Sequence, residues 1–153
     1  MKDGNASETM IYPIRQSGFR SGTMAGKTIR QTVEIGAAPE KVYDALMDSK
    51  KHTKFTGGKC VISKKVGGTF SVFDGYAEGK NLELVEGRKI VQTWRDTDFP
   101  EGLFSKVTFF MKKIKAGTKL TFVQTNVPAD RVEDLKAGWT EYYWAPLKEL
   151  LEK

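Results

Sequence analysis

The chain has 153 residues, 39% of them hydrophobic and 29% charged, with nine Phe, five Tyr and three Trp, a composition that excludes a disordered chain and suits a single core. No stretch approaches the ~18 apolar residues of a membrane-spanning helix, and the N-terminal residues hold no apolar segment of the signal-peptide kind. The net charge of +6 arises from 25 Lys and Arg against 19 Asp and Glu, yet no nucleic-acid reading motif accompanies it, so nucleic acid is not an expected partner.

Residues 1–26 are polar, glycine-bearing and without sustained period, and are expected to form a leader ahead of a domain spanning 27–153. From Lys27 onward Ile29, Val33 and Ile35 alternate with Arg30, Thr32 and Glu34, the pattern of a half-buried strand. Gly36-Ala37-Ala38-Pro39 breaks it, and Pro39 suits the first turn of a helix, where its missing N–H has no partner to lose. Val42, Tyr43, Leu46 and Met47 give that helix its apolar side; residues 48–54 add a further polar turn before Gly57-Gly58 ends the helical region.

Six strand signals follow, at 60–62, 69–73, 76–85, 89–95, 104–114 and 120–126. Gly67-Gly68, Asp74-Gly75, Glu86-Gly87 and Ala116-Gly117 supply tight connections. Links this short join antiparallel neighbours. The last segment reads as a long amphipathic helix. Asp130 and Glu133 have the spacing of a capping box, and Val132, Leu135, Trp139, Tyr142, Tyr143, Leu147, Leu150 and Leu151 recur at helical spacing. Pro146 removes a backbone hydrogen bond inside that pattern, so a bend is expected there. The fold class is therefore α+β: a curved antiparallel sheet of six to seven strands wrapped around a long C-terminal helix, with short helices after the first strand.

Several segments carry a resemblance. They are Ala38-Pro39-Glu40-Lys41-Val42-Tyr43-Asp44-Ala45-Leu46, Phe55-Thr56-Gly57-Gly58, Val66-Gly67-Gly68-Thr69-Phe70, Phe73-Asp74-Gly75, Ile90-Val91-Gln92-Thr93-Trp94-Arg95 and Gly138-Trp139-Thr140-Glu141-Tyr142-Tyr143-Trp144. In this order they resemble the Hsp90 ATPase activator homologues of the START-like superfamily. The resemblance implies a helix-grip fold whose sheet and final helix enclose an apolar cavity, and a co-chaperone role. The eukaryotic activators carry a separate amino-terminal domain ahead of the similar one; only 26 residues precede Lys27 here, so that other domain is expected to be missing.

Catalytic signatures do not assemble. Ser21-Gly22-Thr23-Met24-Ala25-Gly26-Lys27-Thr28 has Ser where a phosphate loop needs Gly, and a strand rather than a helix follows it. His52 is the only histidine and lies among Lys50, Lys51, Thr53 and Lys54, a setting that reads as an exposed helix end. Cys60 is the only cysteine, so neither an intrachain disulfide nor a usual zinc shell can form, and a reducing, cytoplasmic setting is expected. Asp74, Glu78, Glu83 and Glu86 read as solvated turn and strand carboxylates. The dispersed pairs Lys50-Lys51, Lys64-Lys65 and Lys112-Lys113 read as solubilising charges near element ends.

The expected function is binding without catalysis. No cofactor or metal is expected. A cavity between sheet and helix would enclose a small apolar ligand, lined by Phe70, Tyr76, Gln92, Trp94, Phe109, Phe122, Trp139, Tyr142 and Tyr143. A stand-alone co-chaperone-like module contacting an Hsp90-type chaperone or another acidic protein is the alternative. A cyclase- or hydrolase-like enzyme using the same cavity is a third reading.

Overall fold

The computed structural model describes residues 26–152, and the readings placed on residues 1–25 lie outside them. Strand β1 (Lys27–Ile35) buries Ile29 and Ile35 and exposes the residues between and before them in alternation. Helix α1 (Pro39–Met47) starts with Pro39 in its first turn and buries Val42, Ala45, Leu46 and Met47. Asp48 then serves two helices. Its N–H donates to Asp44 O, closing α1, while its carboxylate accepts the Lys51 N–H at 3.0 Å and opens α2 (Ser49–Thr56). The polar segment 48–54 is thus a second helix, not a further turn of the first. Gly57, at φ 83°, ends it in the left-handed conformation that costs glycine nothing.

The remaining strands are β2 (Val61–Ile62), β3 (Thr69–Val72), β4 (Ala77–Val85), β5 (Lys89–Asp96), β6 (Ser105–Ile114) and β7 (Gly117–Val127). They form one seven-stranded sheet in the order β1-β7-β6-β5-β4-β3-β2, with every pairing antiparallel. Consecutive strands from β2 to β7 are neighbours, as short turns require, and β1 closes onto β7. Register breaks near Asn81 in β4 and between Lys27 and Ile29 in β1, and irregularities of this kind increase local twist.

The carboxy-terminal segment runs from a 3₁₀ turn (Ala129–Arg131) into α3 (Val132–Trp139), a π turn (Thr140–Trp144) and α4 (Ala145–Leu151). The expected Asp130–Glu133 capping box does not form. Pro128 starts a 3₁₀ turn that takes up Asp130, and α3 begins after Arg131 with no side-chain cap. The disturbance expected at Pro146 lies earlier, in the π turn, where the Ala145 N–H reaches back five residues to Thr140 O. Pro146 then falls in the first turn of α4, where its missing donor costs little.

The π turn also has a packing reason. Leu135, Trp139, Tyr143 and Leu147 are all buried and stand four residues apart. At 3.6 residues per turn, each such step drifts about 40° around the axis. One widened turn in their midst offsets part of that drift and keeps the four on the sheet.

They meet the inward residues of the sheet, among them Ile90, Trp94, Phe109, Leu120 and Phe122, in one continuous core. Gly79 in β4 has a specific role. A Cβ there would collide with Thr93 O and with the Phe70 ring, so glycine lets Phe70 lie flat against its strand neighbour.

Candidate functional site

Between the sheet and the helix, α2 brings a polar side chain into a largely apolar wall. His52 is 5% exposed, contrary to the expected exposed helix end. The lysines around it conceal the helical spacing: His52 and Phe55, three apart, are the two buried residues of α2, while Lys50, Lys51 and Lys54 take the outer side.

His52 Nδ1 lies 2.9 Å from Leu46 O, and Nε2 lies 2.8 Å from the Tyr143 hydroxyl. A carbonyl only accepts, so Nδ1 carries the proton and Nε2 accepts from Tyr143. Burial pulls the imidazole pKa down to about 4, against a small opposing effect of the Leu46 carbonyl. Burial likewise pushes the Tyr143 phenol well above its usual value. The pair is neutral and mutually satisfied.

These groups border a cavity of about 10 Å³ lined by Leu46, His52, Ile62, Phe70, Val72, Ile90, Gln92, Trp94, Phe109, Trp139 and Tyr143. That volume is at the threshold for one water, whereas sites for drug-sized ligands run to ≈ 300–1,000 Å³. Gln92 donates from Nε2 to Asn81 Oδ1 at 3.0 Å, and Asn81 in turn donates to Ser63 O and Lys65 O, tying β5 to the loop after β2.

Of the nine expected lining residues, Phe70, Gln92, Trp94, Phe109, Trp139 and Tyr143 stand at this wall. Phe122 lies one layer behind, its ring centroid 4.4 Å from that of Trp139. The structure moves the other two elsewhere. Tyr142 is 51% exposed because the buried face passes through Trp139 and Tyr143, and its ring meets the Phe73 ring edge-on. Tyr76 is the last residue of the turn between β3 and β4, half-exposed, with its hydroxyl 3.1 Å from the carboxylates of Asp96 and Asp98. Leu46, His52, Ile62, Val72 and Ile90 complete the wall without having been read from sequence as part of it.

Next to the cavity, Trp139 Nε1 donates to Gln124 Oε1 at 2.9 Å, Gln124 Nε2 donates to Ser105 Oγ at 2.9 Å, and Ser105 donates to Trp94 O. A second cluster stands at the start of the helix. Arg131 Nη2 donates to Asp96 Oδ2 at 2.6 Å, with Asp134 at 3.2 Å and Asp98 at 3.8 Å from the same guanidinium. Burial alone would lower the Arg131 pKa; the Asp96 charge and hydrogen bond more than offset it, so the group stays ionised.

A shallow groove of about 460 Å³ runs between β1 and the helix, lined by Gln31, Thr32, Val33, Thr140, Trp144, Ala145 and Lys148. Gln31 spans its floor, accepting from Trp144 Nε1 at 2.8 Å and donating to Lys136 O at 3.1 Å. Among the described residues no group of three or more His, Cys, Asp or Glu could hold a metal ion, and no helix is long and apolar enough to cross a membrane.

Residues 36–152 match the family model described as Activator of Hsp90 ATPase homolog 1-like protein. An activator of 90 kDa heat shock protein ATPase homolog from Dictyostelium discoideum is 36% identical over 114 residues, which are 74% of this chain and 30% of the relative. The human homolog 1 is 29% identical over 73% of this chain and 33% of its own length. The chain thus spans about a third of the length of these curated relatives. Among solved structures, an HSP90 activator from Plasmodium falciparum superimposes with a TM-score of 0.78 at 30% identity, covering 82% of this chain and 96% of that one.

Proposed function

Because the chain belongs to the Activator of Hsp90 ATPase homolog 1-like family, we propose that it is a binding domain whose partner is an Hsp90-type chaperone. The observation that favours a protein partner over an enclosed small molecule is the filled interior. With a cavity of about 10 Å³, the sheet and helix pack like a protein core, which leaves recognition to the surface.

The relatives named as activators are longer chains, so stimulation of a chaperone ATPase is a separate property from binding. Calorimetric titration of the full chain into an Hsp90-type chaperone, with and without ATP, tests binding directly. Saturable binding with micromolar affinity or better, about −8 kcal/mol, is expected. No heat and no co-elution at any nucleotide state would remove the chaperone reading.

One observation favours a second reading, an apolar guest: seven aromatic and polar side chains from three strands, α2 and the terminal helix converge on the cavity wall, including the amide of Gln92. A guest would have to displace part of that wall. Thermal melts with a panel of lipids and aromatic metabolites check it, since a ligand at 100 times its Kd stabilises by about 2.7 kcal/mol.

A further inference from the structure

The run 49–66 holds six lysines and no acidic residue, and six is also the net positive charge of the entire chain. Sequence alone spreads these lysines over separate elements. The fold gathers them onto one edge of the molecule, formed by α2 and β2, the terminal strand of the sheet.

Helical geometry orients the first three. Ser49 and Thr53 of α2 face β2, and His52 and Phe55 face the core, which leaves Lys50, Lys51 and Lys54 on the outer side. Lys59 precedes β2 and Lys64 and Lys65 follow it, all exposed. Asp44 engages Lys51 and Asp48 lies 3.6 Å from Lys64. Among the described residues, Lys50, Lys54, Lys59 and Lys65 have no carboxylate within ion-pair distance.

Apolar surface accompanies the charge. Val61 on β2 is 58% exposed and Val66 in the following loop 63% exposed. Tyr142 packs on Phe73, whose backbone and ring lie against Gly58, so its exposed ring borders the same edge at the α2–β2 turn.

We propose that this edge is a docking surface for an acidic protein segment, rich in Asp and Glu and carrying an apolar side chain. The inference rests on the protein-partner reading above and locates its surface. Lysines offer point charges for carboxylates, and a half-exposed Tyr beside small aliphatic groups is the anchor type that protein interfaces favour.

Strand addition is not the mode. Ile62 N–H donates to Ser49 Oγ at 2.8 Å and Cys60 N–H to Thr53 Oγ1 at 2.9 Å, so the outward donors of β2 are already taken by α2. The run has no arginine for a phosphate fork, and its one bordering aromatic ring is a poor platform for stacked bases. Two valines give too little apolar area to enter a bilayer.

The test uses the full chain and a fluorescent peptide of Glu and Asp with one Leu, read by anisotropy. Lys50→Glu, Lys54→Glu and Lys59→Glu combined should weaken binding at least about tenfold. Lys112→Glu, Lys113→Glu and Lys119→Glu combined, on the β6–β7 hairpin, should change it less than about twofold. Raising salt from about 0.1 M to about 1 M, which shortens screening from ≈ 10 to ≈ 3 Å, should abolish most of the binding. Tyr142→Ala should weaken it while leaving the salt dependence as it was.

Equal losses from the two lysine sets would overturn the proposal, as would tighter binding to phosphatidylserine vesicles or to single-stranded DNA than to the peptide. If the charge reversals lower the melting temperature, the same three positions changed to Gln provide the readout. Titration against the chaperone separates the two readings. A chaperone that binds the first triple variant as well as the unaltered chain removes this surface and keeps the chaperone; peptide binding without chaperone binding does the reverse.

Discussion

Two polar clusters of opposite character fasten the terminal helix, one to strand β5 of the sheet and one to helix α2. At its start, Arg131 is locked to Asp96 by charge, with Tyr76, Asp98 and Asp134 around it. At its middle, Tyr143 is held to His52 by a neutral hydrogen bond beside the cavity. The difference follows from the surroundings. Arg131 and Asp96 sit near the ends of α3 and β5, where further carboxylates and partial water access make a charged pair tolerable. His52 sits among Leu46, Phe55 and Tyr143, where an imidazolium would have no counter-ion. The neutral fastening is lost when His52 gains a proton, and the charged one when the Asp96 carboxyl does.

The sharpest way to break the charged cluster is Asp96→Ala. It strands a buried guanidinium and should cost about 3–5 kcal/mol in urea unfolding, toward the lower figure because Asp98 and Asp134 remain nearby.

The neutral cluster is tested by pH. His52 titrates near 6.5 when unfolded and at about 4 in the fold, so the unfolded chain binds the proton first. The resulting stability is fully present above pH 6.5 and falls as pH drops toward 4, by up to about 3 kcal/mol. Burial raises the Asp96 carboxyl, which gives the opposite slope as that group ionises. The comparison is therefore between the unaltered chain and His52→Gln: the slope between pH 6.5 and 4 should shrink in the variant. An unchanged slope would mean that the imidazole is not held neutral. The smallest effect is expected from Tyr143→Phe, which removes only the phenol donor and leaves His52 Nε2 unpaired, at about 1–2 kcal/mol in the same unfolding measurement.

Much of the architecture was legible because it depends on local signals. Alternation and short glycine turns gave the strands and their antiparallel order, and the spacing of Leu135, Trp139, Tyr143 and Leu147 gave the helix and its buried face. What was not legible depends on contacts between distant residues. The burial of His52 comes from the approach of Tyr143, 91 positions away, and the lysines beside it hide that burial. Asp130 has the chemistry of a helix cap, but Pro128 starts the turn one step too early for it to act. Tyr142 and Tyr143 are equivalent in a hydropathy pattern, and the path of the helix through the π turn buries Tyr143 and exposes Tyr142. The gathering of lysines required α2 to fold along β2, through Ser49 and Thr53, residues that carry no charge themselves.

Recognition through the outer α2–β2 edge, with the interior left closed, is tested most directly by amide chemical shifts. With the ¹⁵N-labelled full chain titrated with an Hsp90-type chaperone, perturbation is expected along residues 50–66 and at Tyr142, while Gln92, Trp94 and Trp139 stay in place. Perturbation confined to the amides around Phe70, Gln92, Trp94 and Tyr143, with residues 50–66 unmoved, would contradict it.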